Sequence, residues 1–337
     1  VVSQTVIARE LNVSQRTVSL CLAGSNRVAA RTRERVLEAA RRLGYQPNRS
    51  ARAMRSGRFN AVALLQSVSN QYSDLPGKLL GGIQDYLMRR EMHLVIASVP
   101  DAKLADEDFL PTVLREWSVD GFLVNYCYGF SPRIAEVVGE SRLPSVWLNV
   151  KRPHDCVYPD DIGGAHAATR RLLSLGHTRI AFYSARPFEE HYSVGDRFEG
   201  YVRAMREAGR QPRKLYLHER DWTQPEAGLQ YVRSFLEPDD RPTAVLTYES
   251  FEAMRVLMLA WKLGLEVPRD LSIVTFHPDH LREAGYPVAT MIVPEPQVAQ
   301  VALDTLTQRI ESRDAFLPPQ AIPYGEMVNG TVGPPPA

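Results

Sequence analysis

Apolar residues fall into short runs and helical stripes that alternate along most of the chain. Runs at Ala61–Leu65, Leu94–Ala97, Gly121–Val124, Ser145–Leu148, Ile180–Tyr183, Ala244–Thr247 and Ser272–Phe276 have the length and β-branched content of buried strands. Between them, Gly81–Arg90, Gly163–Leu175, Asp196–Ala208, Glu226–Leu236, Phe251–Leu263 and Gln297–Glu311 carry helix-period stripes. Strand–helix alternation predicts α/β architecture with parallel sheets covered on both faces. Residues 59–337 are long enough for two such units.

The first 45 residues read differently. Ser3 is placed to cap a short helix with Val6, Ile7 and Leu11 as its apolar stripe. Asn12 suits a left-handed turn. Ser14 then caps a second helix with Val18, Cys21 and Leu22 inward. A third helix is expected over Arg31–Leu43, with Val36, Leu37 and Ala40 inward and Gly44 as its stop. Two short helices joined by a tight turn form a helix-turn-helix. Its second helix would present Ser14, Gln15, Arg16, Thr17 and Leu20 to the major groove.

Charge sharpens this reading. The first 58 residues hold twelve arginines, three glutamates, no lysine and no aspartate, a net +9 in a chain of net +1. The remainder carries 28 basic against 36 acidic residues. A basic head on an acidic body points to double-stranded DNA as a partner.

Several stretches resemble the lactose-repressor/galactose-repressor family of transcription factors. They are Val13-Ser14 with Thr17-Val18-Ser19, Leu22-Ala23-Gly24, Thr32 to Leu37, and Leu43-Gly44-Tyr45-Gln46-Pro47-Asn48. Weaker matches follow at Val119-Asp120-Gly121, Leu175 to Ala181, Arg197 with Gly200-Tyr201, and Val267 to Ser272. The resemblance implies an all-α helix-turn-helix head with a hinge helix, joined to an α/β body like the periplasmic sugar-binding proteins. It implies a homodimer on a near-palindromic operator, probed in the minor groove by the hinge. There Met54 is the apolar wedge, with Asn48 and Ala51 beside it. The implied divisions are 1–47 for the head, 48–58 for the hinge, 59–158 with 292–320 for one subdomain, and 159–291 with 321–337 for the other. Three crossings are expected near 158–161, 287–292 and 320–323. Leu20 stands where the family often has a guanine-reading Arg, and Ala29 where it usually has a Ser cap.

In such sheets ligands bind beyond the strands' carboxyl ends. By resemblance the effector residues are Tyr72, Asp74, Asn125, Asn149, Arg197, Trp222, Glu249 and His277. An Arg with amide and carboxyl groups orders hydroxyls, and an indole stacks on a sugar ring. Three positions depart from the family pattern: Asn149 and His277 replace Asp, and Tyr248-Glu249 replaces Asn-Asp. A sugar, a sugar acid or a related molecule is the expected effector.

The chain opens Val-Val-Ser-Gln with no secretory signal pattern, and no apolar run reaches the ~20 residues of a membrane helix. Cys21, Cys127 and Cys156 lack paired spacing and read as free thiols of a cytoplasmic protein. The His277-Pro-Asp-His280 stretch is a poor metal site because Pro278 breaks a helix. No catalytic motif, metal or cofactor is expected. The Pro334-Pro335-Pro336 end is expected to be a disordered tail. The competing reading is a solute-binding module with a vestigial head. A carbohydrate enzyme ranks below both, because no acid–base pair can be assigned.

Overall fold

The computed structural model describes residues 2–22, 24–45, 57–69, 72–106, 119–186, 191–216, 225–283, 285–312, 315–328 and 330–336. The chain divides into two compact units, Val1–Phe59 and Asn60–Ala337.

The first unit holds α1 (Gln4–Leu11), α2 (Gln15–Leu22) and α3 (Ala30–Arg42) around Ile7, Ala8, Val18, Cys21, Val36, Ala39 and Ala40. Asn12 ends α1 at φ 52°, and the Val13 N–H reaches back to the Ala8 carbonyl at 3.0 Å. Gly44 ends α3 at φ +65°, with Tyr45 N–H on the Ala40 carbonyl at 2.8 Å. Two apolar expectations fail: Val6 and Leu37 are exposed, at 44% and 39%. Ile7 and Ala8 in α1 and Val36, Ala39 and Ala40 in α3 face the small core, and the adjoining Val6 and Leu37 turn outward. Ser3 and Ala29 sit at N-caps without a side-chain bond.

The second unit contains two parallel sheets. β1 (Ala61–Ser67), β2 (His93–Val99), β3 (Gly121–Asn125), β4 (Ser145–Leu148), β5 (Cys156–Pro159) and β13 (Gln320–Ile322) are ordered β13-β5-β4-β3-β1-β2. β6 (Ile180–Ser184), β7 (Arg213–Tyr216), β8 (Ala244–Thr247), β9 (Ser272–His277) and β12 (Ala289–Ile292) are ordered β12-β9-β8-β6-β7. A two-residue ribbon, β10 (Arg282–Glu283) with β11 (Tyr286–Pro287), stands apart. The central strands β3, β6 and β8 are buried at every position, as covering on both faces demands.

On the first sheet, α4 (Gly77–Arg89) and α10 (Glu295–Glu311) cover one face through Leu79, Ile83, Val298 and Leu303, while α5 (Arg133–Glu140) covers the other through Ile134 and Val137. On the second, α6 (Asp161–Ser174) and α7 (Tyr192–Glu207) cover one face. α8 (Pro225–Leu236) and α9 (Ser250–Lys262) cover the other. The chain passes between the sheets after β5, after β12 and after β13. The second passage begins at Ile292, the end of the expected window, because β12 still pairs with β9 there.

The C-terminal end corrects its expectation. The Gly333 carbonyl accepts from the buried His177 ring at 2.9 Å and from the Ser272 hydroxyl at 3.1 Å, and Thr331 is fully buried. Proline-rich composition says nothing about these backbone bonds, which dock the segment on the second sheet.

α6 and α7 approach so closely that a Cβ on Gly200 would lie 2.1 Å from the Ile162 carbonyl oxygen. That oxygen is backbone and cannot swing aside. Gly200→Ala should therefore lower stability by about 1–3 kcal/mol or more, read as a fall in the urea midpoint; an unchanged midpoint would contradict the close approach.

Candidate nucleic-acid interface and ligand cleft

In the first unit, the Ser14 hydroxyl accepts the Thr17 N–H at 3.0 Å and lies 2.8 Å from the Thr17 hydroxyl. These two residues build the start of α2. Gln15 and Arg16, one step along, are exposed and make no side-chain bond among the described residues. Leu20 is half-buried. The structure thus separates the sequence-predicted set into a capping pair and an outward Gln-Arg pair. Asn48, Ala51 and Met54 lie outside the described residues.

In the second unit, each sheet reverses its strand order once, between β1 and β3 and between β6 and β8. The crevice beyond the carboxyl ends at such switch points is where ligands bind in open α/β sheets. Tyr72, Asp74 and Asn125 gather at the first. The Asn125 amide donates to the Asp74 carbonyl at 2.8 Å, and the Tyr72 carbonyl accepts the Cys127 N–H at 2.9 Å. Glu249 stands at the second, paired with Arg186 and joined to Glu252 in a capping box on α9. Burial, then the Glu249 charge, push the Glu252 carboxyl up to about 8.

Arg197 sits at the centre of the deepest network. Its Nε donates to Asp161 Oδ1 at 2.6 Å, one terminal nitrogen to the Tyr248 carbonyl at 2.6 Å, and the other to the Tyr324 hydroxyl at 3.2 Å. Tyr324 in turn donates to Asp161 Oδ1 at 2.7 Å. The guanidinium lies 4.2 Å from the Phe276 ring centroid and 4.8 Å from that of Tyr248. Burial opposes its charge, but the Asp161 carboxylate together with Tyr324 and Tyr248 outweighs burial and holds its pKa well above the ordinary value. Asp161 Oδ2 is buried with no hydrogen-bond partner among the described residues.

Asn149 adopts φ 52° and joins the end of β4 in the first sheet to the start of α7 on the second. Its side-chain oxygen accepts the Tyr192 hydroxyl at 2.9 Å and its carbonyl accepts His191 Nε2–H at 3.0 Å. Lys151 pairs with Asp196 beside it, and Lys78 with Asp279 at 3.0 Å across the same gap. His277 Nδ1 accepts the Asp279 N–H at 3.1 Å, so its ring shapes its own loop. Trp222 lies outside the described residues. Asp161, His191, Ser193 and Tyr324 were not singled out by sequence. Only Asp160-Asp161 before a helical stripe gave a signal, and that signal reads as capping, which Asp160 performs.

Polar and charged groups from the ends of both sheets thus meet around Asn149, Lys78 and Arg197. The three cysteines are buried, and burial pushes Cys127 up to about 12, which leaves it a thiol. No group of three or more metal-ligating side chains occurs among the described residues, and no described helix is long and apolar enough to cross a membrane.

Comparison with known proteins agrees with both units. The family of bacterial regulatory proteins, lacI family, matches residues 6–48, and a periplasmic binding protein-like domain matches residues 169–331. Catabolite control protein A of Priestia megaterium is 30% identical over 307 residues, 90% of each chain. The HTH-type transcriptional regulator AglR of Rhizobium meliloti is 31% identical over 82% of this chain and 77% of its own. The lac repressor dimer bound to operator and the anti-inducer ONPF has the same fold, with TM-score 0.75 and 21% identity over 98% of each chain.

His191 offers a pH test. Burial pushes its pKa down to about 4, and its Nδ1 accepts the Ser193 N–H at 3.3 Å, so the folded protein holds it neutral. The unfolded chain takes up the proton near the ordinary pKa of about 6.5, so this group's contribution is complete above that pH and is lost as pH falls toward 4. Glu252 works oppositely, because its raised pKa favours folding at low pH. The midpoint difference between the wild type and His191→Gln isolates the histidine. It should be largest at pH 7 and shrink by pH 4.5; a pH-independent difference would refute the buried neutral ring.

Proposed function

The chain belongs to the lacI family of bacterial regulatory proteins and is a DNA-binding transcriptional regulator, and from that premise we propose that it is a homodimeric repressor released from its operator by a small effector. The observation that carries the DNA reading is the exposed Gln15-Arg16 pair on a capped α2, within a head of net +9. Two such heads related by a two-fold axis read a near-palindromic site. Met54, Asn48 and Ala51 act as the minor-groove segment between them. A DNA-reading role assigns the protein to the cytoplasm, and the relatives named above are regulators, so the body's role is binding and not catalysis.

The effector sits between the 59–158/292–320 and 159–291/321–337 subdomains and is a neutral, hydroxyl-rich molecule such as a sugar. Arg197, Arg186, Lys151 and Lys78 each already face a carboxylate, whereas Asp161 Oδ2 is an unfilled buried acceptor. Those charges favour a donor over an acid. The solved transcriptional regulator CelR is a cellobiose complex, which is consistent with a sugar in this fold. Tyr72, Asp74, Asn125, Asn149, Glu249 and His277 frame the same cleft, with Trp222 as a stacking face. Closure around the effector shifts the subdomains and lowers operator affinity by the difference in effector binding between the two states.

The dimer reading rests on uncovered apolar surface. β2 is a sheet edge with Val95 and Ile96 exposed at 37% and 49%, beside Met88 at 71% on α4. α9 exposes Met258 and Trp261 on the second subdomain. A long apolar edge is a liability unless covered, and a second copy covers it.

Two experiments check these statements. Operator duplexes selected from a randomised library are titrated by fluorescence anisotropy. Arg16→Ala should cost about 1–3 kcal/mol on the selected site and relax one base position, and a neutral sugar should release the wild type where sugar acids do not. An equal loss on selected and random duplexes would rule out base reading, and release by acids alone would overturn the neutral effector. By sedimentation, Ile96→Lys should raise the dimer dissociation constant about tenfold or more; an unchanged constant would remove β2 from the interface.

A further inference from the structure

The first subdomain has a separate cavity at the end of its sheet away from the cleft. About 490 Å³ lies where β4 and β5 begin, between the carboxyl end of α5 and that of α10. This volume falls among those of small-molecule sites. Its apolar walls include Val138 and Phe316, with Trp147 behind them.

The charges around it are not equivalent. Asp155, 4% exposed, is committed: its carboxylate accepts the Leu317 N–H at 2.9 Å, pairs with Arg309 Nε at 3.3 Å and lies 3.2 Å from His154 Nδ1. Arg309 also donates to the Ala315 carbonyl at 2.6 Å. Arg152 is different. Its guanidinium lies 4.2 Å from the Trp147 centroid, and Trp147 stacks on Phe130 at 5.6 Å. Among the described residues no carboxylate and no hydrogen-bond acceptor meets that guanidinium. Arg152 is half-buried, and burial lowers its pKa. Arg142, exposed and also without an ion pair among the described residues, lines the same cavity.

A partly desolvated cation without a counter-charge is costly, and stacking on an indole offsets only part of that cost. The planar fork keeps all its donors free, in a geometry that matches a carboxylate or phosphate. We propose that this cavity is a second ligand site, distinct from the cleft, which takes a small organic anion. A carboxylate or phosphate sits on the Arg152 fork with Arg142 at the mouth, and a flat apolar body lies against Val138 and Phe316. The site is independent of the DNA and effector readings.

The test uses the full chain with benzoate and phenyl phosphate as probes, followed by titration calorimetry. At least one probe should bind the wild type with a dissociation constant below about 10 mM. Arg152→Gln should weaken it about tenfold or more, and Arg152→Lys, which keeps the charge and loses the fork, by less. Arg197→Gln, in the cleft, should leave it unchanged. The proposal is overturned if neither probe binds, if binding survives both Arg152 variants at full strength, or if Arg197→Gln abolishes it and so places the probe in the cleft. Melting curves confirm that each variant is folded, and Arg152→Lys alone decides the matter should Arg152→Gln not be.

Discussion

The body is organised around one buried ion pair, Arg197 with Asp161. An arginine side chain this buried cannot stay charged without full compensation, and three separate pieces of chain supply it. Asp161 opens α6 immediately after the first passage between subdomains, and Tyr324 follows the third. Tyr248 lies at the carboxyl end of β8. One side chain on α7 therefore fastens two of the three crossings to the second sheet and to its switch point. The requirement to satisfy a buried charge fixes how these two passages seat against the second sheet.

The uneven legibility of this arrangement has physical causes. The seven apolar runs read as strands are strands; for central ones such as β3, β6 and β8, burial on both faces demands a continuous apolar sequence. β7 and β13 left no run to find because Arg213-Lys214 and Gln320 interrupt them at exposed or half-buried edge positions. Arg197 was visible through its local Gly-Tyr neighbours. Its partner lies 36 positions away and Tyr324 127 positions away, a relation no local period encodes. In the head, the turn chemistry of Asn12 and Gly44 was legible because it is local. The outward Val6 and Leu37 were misread because a helical stripe identifies a face wider than the core that receives it.

The positions that depart from the family pattern are, in the structure, the ones the protein uses internally. Asn149 takes a left-handed backbone that Asn tolerates better than most residues, and its amide oxygen is occupied by Tyr192. Tyr248 gives its carbonyl and ring face to Arg197 and its hydroxyl to Ser193 at 2.9 Å. Glu249 is neutralised by Arg186, and His277 accepts a backbone N–H of its own loop. A side chain so engaged must break a native bond before it can hold a ligand.

The resident ion pair also bears on the charge of the effector proposed above. An entering carboxylate would have to draw Arg197 away from its existing partner, leaving the buried Asp161 uncompensated. Breaking a buried pair in this way costs more than making a new one returns, since the abandoned charge keeps its desolvation penalty. A hydroxyl needs no such exchange: it can donate to Asp161 Oδ2 while the ion pair through Oδ1 stays intact. The same electrostatic logic gives the opposite answer at Arg152, whose guanidinium faces no carboxylate among the described residues and has nothing to abandon. On the two proposals made above, the presence or absence of a resident counter-charge is what separates a cleft suited to donors from a cavity suited to anions.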